Sequence, residues 1–255
     1  MGKNIKVAWM YPDILYLHGD RGNILAIEKV ASMLSLDVRI DRINLSDNSF
    51  DPMEYDMLIF PPGEIASFPA LLDNMQRYKR SLTEYIQSGR VLLAVGTTIA
   101  LFGKSIKRFS EDASSEAKLI KGLGLIPLTS REREYVFGDD EWGSVTINDK
   151  TLDVIGFQIQ MADMDFTPAG EFSAFSNLKY GRGNIKGSCI DGVRVNNAFF
   201  TNMLGPLLVN NPWLAAELLR TAAKNAGIET AGADLQFPLE EESLELKKQF
   251  IKRKF

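Results

Sequence analysis

A chain of 255 residues that is 45% hydrophobic and 24% charged can bury one large α/β core, alone or with a modest appendage. Its formal charge of −4, from 29 basic and 33 acidic residues with no long single-sign block, offers no basic surface for nucleic acid. One cysteine, Cys189, and one histidine, His18, exclude an intramolecular disulfide, a multi-cysteine metal site and most zinc chemistry, so neither metal nor cofactor is expected.

The opening MGKNIKVAWMYP enters an apolar strand pattern without a secretory leader. No stretch approaches the roughly 20 apolar residues that span a bilayer; a cytoplasmic location without membrane insertion is expected. Residues 5–12 read as a strand. Residues 23–36 read as a helix with Asn23 as N-cap and Ile24, Ile27, Val30, Ala31 and Leu34 on one face. A second strand covers 38–45. A third covers 57–63 and is continuously apolar, hence buried on both faces. A helix over 69–87 ends at Gly89, and a fourth strand covers 91–96. This order predicts a parallel sheet covered by helices, with ligands at the carboxyl ends of the strands, where PPGE (61–64) and Gly96 lie.

The second half changes character. REYVFGDDEW, SVTIND, LDVIGFQIQ, EFSAF and NAFFTNML alternate as strands between Gly, Asp and Asn turns, predicting antiparallel pairs added to the sheet. A helix over 211–227 follows, with Asn211 as N-cap and Gly227 at its end. Residues 228–240 read as a connector and 239–255 as an amphipathic helix, so the expected division is a domain over 1–227 and a connector with a C-terminal helix over 228–255. The basic KKQFIKRKF end fits a solvated helix terminus complementing the helix dipole.

LLAVGTTIALFG (92–103) has the form of a buried strand running into a helix, the turn on which α/β enzymes hold a nucleophile. Gly96 stands at the turn. Around it, YPDILYLHGDRGNI, PPGE, IKGLGLIPLTS, VIGFQIQ, YGRGNIKG and NMLGPLLVNNPWLAAELL resemble, in order and spacing, class I glutamine amidotransferases of the CobB/CobQ type, and within them the branch that serves cell-wall peptidoglycan amidation. The resemblance covers roughly residues 5–225 and implies a flavodoxin-like fold: a central, mostly parallel sheet, helices on both faces, and antiparallel additions. It also implies glutamine hydrolysis by a Cys nucleophile and a His base, with ammonia passed to a partner that activates a carboxylate, here a Mur-ligase-like subunit.

Matched residue by residue, this chain departs from that chemistry. The nucleophile position is Gly96, in Ala94, Val95, Gly96, Thr97, Thr98, Ile99 and Ala100; the general-base position is Leu204, followed by Gly205, Pro206, Leu207 and Leu208. The family's Gly-Phe-Glu-Asn-His segment is Gly156, Phe157, Gln158, Ile159 and Gln160 here. Its glycine-rich oxyanion loop is Pro61, Pro62, Gly63 and Glu64, and two prolines remove two backbone donors. Its carboxylate-binding arginine aligns with Tyr135, with Arg133 two residues away on the same strand face as a substitute. Asp20, Arg21 and Asn23 are retained, as a docking surface or a capped turn.

The expected site is therefore a vestigial pocket of Gly63, Glu64, Thr97, Thr98, Arg133, Tyr135 and Gln160 without catalytic residues, and the losses argue against glutamine binding. Two other expectations compete with a scaffolding subunit. One is altered chemistry in the old pocket, with Thr97 or Thr98 as nucleophile, Glu64 as base and Arg133 holding the substrate; helix capping is the simpler role for the threonines. The other is an ordinary amidotransferase supplying ammonia to a ligase. Cys189 lies in GSCIDG, far in sequence from the elbow, and His18 is expected to be structural.

Overall fold

The computed structural model describes residues 4–110, 118–230 and 234–254; the first three residues of the opening motif, part of the expected connector and Phe255 lie outside them. A six-stranded sheet is built from β1 (Ile5–Met10), β2 (Val38–Ile43), β3 (Met57–Phe60), β4 (Val91–Val95), β11 (Val193–Val195) and β12 (Ala198–Thr201). Its order is β11-β12-β4-β3-β1-β2, with every pairing parallel except β11 with β12.

The continuously apolar strands are buried on both faces, as their composition predicts. Successive side chains point to opposite sides. Leu58 and Phe60 of β3, with Leu92 and Ala94 of β4, pack toward α2 (Phe68–Gln76) and α3 (Lys79–Gln87). Met57, Ile59, Val91, Leu93 and Val95 pack toward α1 (Arg21–Met33) and α6 (Pro212–Ala226). These strands end earlier than the apolar runs suggest. Tyr11, at φ 51°, leaves the strand conformation after Met10, and Pro61 and Pro62 cannot donate to a ladder.

Two helical expectations need correction, and a third holds in position only. α1 starts at Arg21 with Asp20 at its N-cap position, so Asn23 is not the cap. Asn23 instead accepts the Leu208 N–H at 2.7 Å and donates to Asp20; these retained residues tie α1 to α5 (Leu207–Asn210). The single helix expected over 69–87 is two, broken at Arg77 and Tyr78. The Tyr78 hydroxyl meets that of Tyr11, Asn74 donates to Leu45 O at 2.9 Å, and Arg77 donates to Asn48, so tertiary bonds override the apolar periodicity. Asn211 stands at the N-cap position of α6, as expected, but its side chain makes no cap bond; its amide instead bonds both the N–H and the C=O of Ile155 at 2.8 Å.

The antiparallel strands mostly form a second sheet instead of extending the first. It holds β5 (Ser105–Lys107), β6 (Leu119–Lys121), β7 (Thr129–Ile147), β8 (Lys150–Asp165), β9 (Ser176–Tyr180) and β10 (Ile190–Asp191). The two segments expected over 133–149 are one strand that runs through Gly143. That glycine marks a close approach, since a Cβ there would lie 2.2 Å from Ser176 Oγ. Asn148 and Asp149, both at positive φ, make the two-residue turn between β7 and β8. EFSAF is not a strand; it is held by isolated bridges, Ala169 with Phe172 and Ser173 with Arg194. The last helix, α7 (Pro238–Lys252), buries Leu244 and Ile251 against Ile155 and Trp142 of this second sheet and Trp213 of α6. No helix among the described residues is long and apolar enough to cross a membrane.

Candidate functional site

β4 carries the chain through the core to Gly96, which is buried at φ +68° and opens a short turn into α4 (Ile99–Phe102). That left-handed conformation, free of strain for glycine, is the backbone of a strand-to-helix elbow. A Cβ at Gly96 would lie 2.9 Å from Pro62 Cβ and 3.1 Å from Leu204 Cδ2. The structure thus brings together the nucleophile position, the oxyanion-loop position and the general-base position matched from the sequence. The space between them is filled by apolar carbon.

Each neighbour is fixed by its own bonds. Leu204, 2% exposed, exchanges two backbone hydrogen bonds with Phe157 of β8, at 2.8 and 3.1 Å. Leu17 N–H donates to Pro62 O at 3.1 Å. Of the backbone N–H groups at 61–63, the prolines have none and Gly63 has one, which donates to Thr97 Oγ1 at 3.2 Å while that hydroxyl donates back to Gly63 O. An oxyanion donor must point at open space where charge develops. Gly63 N–H points at a threonine.

The threonines do not cap the helix, contrary to expectation. Neither end of the turn has a side-chain cap bond; Thr97 clamps the 61–63 loop, and Thr98 donates to Val95 O at 2.8 Å. Glu64 is exposed. The remaining expected residues are engaged on the second sheet. Arg133 pairs with Asp163 at 3.1 Å and donates to Tyr135 O, inside the irregularity between Glu132 and Phe137. Tyr135 is 71% exposed. Gln160 donates to Gly183 O at 3.1 Å and Asn184 O at 2.8 Å. His18 is half-buried at φ 59°, and burial pushes its imidazole toward the neutral form. Cys189 is exposed, beside Arg182, Lys186 and Ser188 in a cleft of about 430 Å³ whose lining includes no elbow residue.

A buried polar layer continues behind Leu204, and sequence reasoning missed it. Asp191 accepts from the Thr201 hydroxyl and from Asn202 N–H at 3.1 Å. Asn184 bridges Gly192 and Asn202. Burial raises the Asp191 carboxyl to about 6, against the lowering effect of those donors. Glu141, fully buried with neither carboxyl oxygen bonded, is pushed well above the carboxylate range by burial and by the Asp191 charge. Asp20 is likewise raised to about 7 by burial, opposed by its bond from Asn23. In the sequence Glu141 follows Gly138, Asp139 and Asp140, and Asp20 and Asp191 stand beside glycines, so these groups read as turn or surface residues and nothing marks them as interior.

No family model matches the chain. The chain is 28% identical over 243 residues to the lipid II isoglutaminyl synthase (glutamine-hydrolyzing) subunit GatD of Streptococcus pneumoniae, covering 94% of this chain and 87% of that protein. Its structure superposes on the glutaminase domain of Trypanosoma brucei CTPS, solved with bound acivicin, with a TM-score of 0.51 and 9% identity over 92% of this chain and 98% of that one. In sequence over nearly its whole length, and in fold, the chain resembles the class I glutamine amidotransferases.

Proposed function

We propose that this chain is a catalytically silent glutamine amidotransferase-like subunit that binds a Mur-ligase-like partner and supports amidation of cell-wall peptidoglycan. The observation that carries the reading is the packing at the elbow. Gly96 supplies no nucleophile, and its φ together with Pro62 and Leu204 leaves no room for one. The base position is an aliphatic side chain, and the loop N–H is held by Thr97. A glutaminase needs a thiolate, a proton acceptor and an oxyanion hole together; here the first two are absent and the loop's oxyanion donor, Gly63 N–H, is engaged. The pathway rests on the likeness to the pneumococcal subunit, whose name gives it a part in lipid II amidation.

The altered-enzyme alternative gains no support, because the Thr97 and Thr98 hydroxyls donate to backbone carbonyls and Arg133 is paired with Asp163. The test is reconstitution with a Mur-ligase-like protein from the same cell. The expected complex is stoichiometric, and its amidation runs on added ammonium and not on glutamine. Amidation driven by glutamine alone refutes the proposal.

A further inference from the structure

The second sheet turns one face toward the core it shares with the first, where Val145 and Val154 pack. Successive residues of a strand alternate between faces, so Glu141 of β7 and Gln158 and Gln160 of β8 lie on the same face as those valines. Gln158 is a diagonal neighbour of Glu141, whose direct partner is Gly156. Ser176 of β9 closes over Gly143, and Asp191 of β10 stands opposite Ser176. The Asp191 charge reaches Glu141. Among the described residues, ten buried side-chain polar atoms have no hydrogen-bond partner; five are on this one face, and all five are oxygens, namely both carboxyl oxygens of Glu141, Oε1 of Gln158 and of Gln160, and Ser176 Oγ. Glu141, Gln158, Ser176 and Asp191 are each no more than 1% exposed. The two glutamine amides have spent their donors on the Gly183 and Asn184 carbonyls. Arg182, which follows the Gly181 backbone that packs on Glu141, is paired with Asp163.

We propose that Glu141 and Asp191 hold one divalent cation of calcium's kind, with Gln158 Oε1 and Ser176 Oγ as further ligands. Two buried carboxylates without a basic partner call for two positive charges. A donor set made only of oxygen selects a hard cation over zinc or copper. Calcium accepts carboxylate, amide and neutral oxygens in an adaptable shell of about six to eight, whereas magnesium demands a near-ideal octahedron and keeps its water. No group of three or more His, Cys, Asp or Glu side chains among the described residues could hold a metal, so the neutral oxygens are necessary members of this site. The scarcity of cysteine and histidine that argues against a metal in the sequence bears on sulfur and nitrogen sites, not on one built from oxygen. The cation ties together β7, β8, β9 and β10. Asp191 also accepts from the Thr201 hydroxyl and from Asn202 N–H, which carries the tie to the end of β12 just ahead of Leu204. The proposal is independent of the catalytic state of the elbow.

Equilibrium dialysis of the full chain, stripped with a chelator and returned to calcium, tests it together with thermal unfolding. One calcium per chain is expected, with a melting temperature raised by roughly 5–11 °C at about a hundred times the dissociation constant. Glu141→Gln replaces a carboxylate by an amide of the same size; it should fold in chelator, bind calcium about tenfold or more weakly and lose the rise in melting temperature. Ser176→Ala, which takes away a neutral ligand and no charge, should also weaken binding. Asp13→Asn, at an exposed carboxylate, should change neither quantity. Protons occupy the pair in the stripped chain, and the raised Asp191 carboxyl belongs to that form. A wild type that binds no calcium at millimolar concentration and melts alike with and without it overturns the proposal and leaves the pair to protons alone. So does calcium binding that both Glu141→Gln and Ser176→Ala retain in full, or an equal rise in melting temperature with magnesium or potassium.

Discussion

Gly96→Cys puts the thiol of an active amidotransferase where the fold would hold it, and the structure predicts that the elbow resists. A non-glycine residue at φ +68° costs about 1–3 kcal/mol unless its surroundings enforce that conformation. The added Cβ, 2.9 Å from Pro62 and 3.1 Å from Leu204, overpacks a buried contact, which costs about 1–3 kcal/mol more. The total of roughly 2–6 kcal/mol corresponds to a melting temperature lower by roughly 4–24 °C for a chain of this size. Urea unfolding of the two proteins measures it. Because one carbon of the clash belongs to the Pro62 ring, adding Pro62→Gly should recover part of the overpacking loss. A Gly96→Cys protein within about 0.5 kcal/mol of wild type would show that the space between Pro62 and Leu204 is not closed, and the argument from packing would fail.

Three further outcomes follow from the same contacts. Gly96→Cys alone, and Gly96→Cys with Leu204→His, should release no glutamate from glutamine; the smallest set with the required atoms adds Pro61→Gly and Pro62→Gly, since one missing oxyanion donor already costs about 10²–10³ in rate. Thr97→Ala should destabilise by about 1–3 kcal/mol, because it leaves buried Gly63 N–H and C=O groups without their partner, whereas Thr97→Ser should be nearly neutral; equal stability of all three proteins would remove the clamp from the account. The Asp191 carboxyl is raised by burial to about 6, so the folded state holds a proton that the unfolded chain has already lost. That stabilisation is full below the ordinary carboxylate value and lost as pH rises through about 6, and the stability of wild type relative to Asp191→Asn should fall by about 1.4 kcal/mol per unit across that window; a pH-independent difference would contradict it.

The parallel sheet was legible because strands buried on both faces must be apolar throughout, as 57–60 and 91–95 are. The elbow was legible because a glycine between a buried strand and a helix has few other uses. The second sheet was less so. Gly143 reads as a turn, but its missing side chain lets Ser176 approach, and that depends on a strand more than thirty residues away. The helix break at Tyr78 depends on Tyr11 and the loop after β2, again beyond any local window. At the site, sequence matching brought out Gly96, Pro62 and Leu204, and the structure joins them. What it could not give is that Thr97 turns inward to hold Gly63, or that Gln160 is tied to the Gly183 and Asn184 carbonyls, because both depend on where a distant backbone ends up.

Glutamate release by the purified chain, alone and with a Mur-ligase-like protein, tests directly whether this elbow performs glutamine chemistry. Release at the background rate of the buffer in both cases is the predicted result. Enzyme-catalysed hydrolysis at about 1 per second or more, retained in Cys189→Ala and abolished by Thr97→Val, would contradict it and place a working nucleophile on the elbow after all.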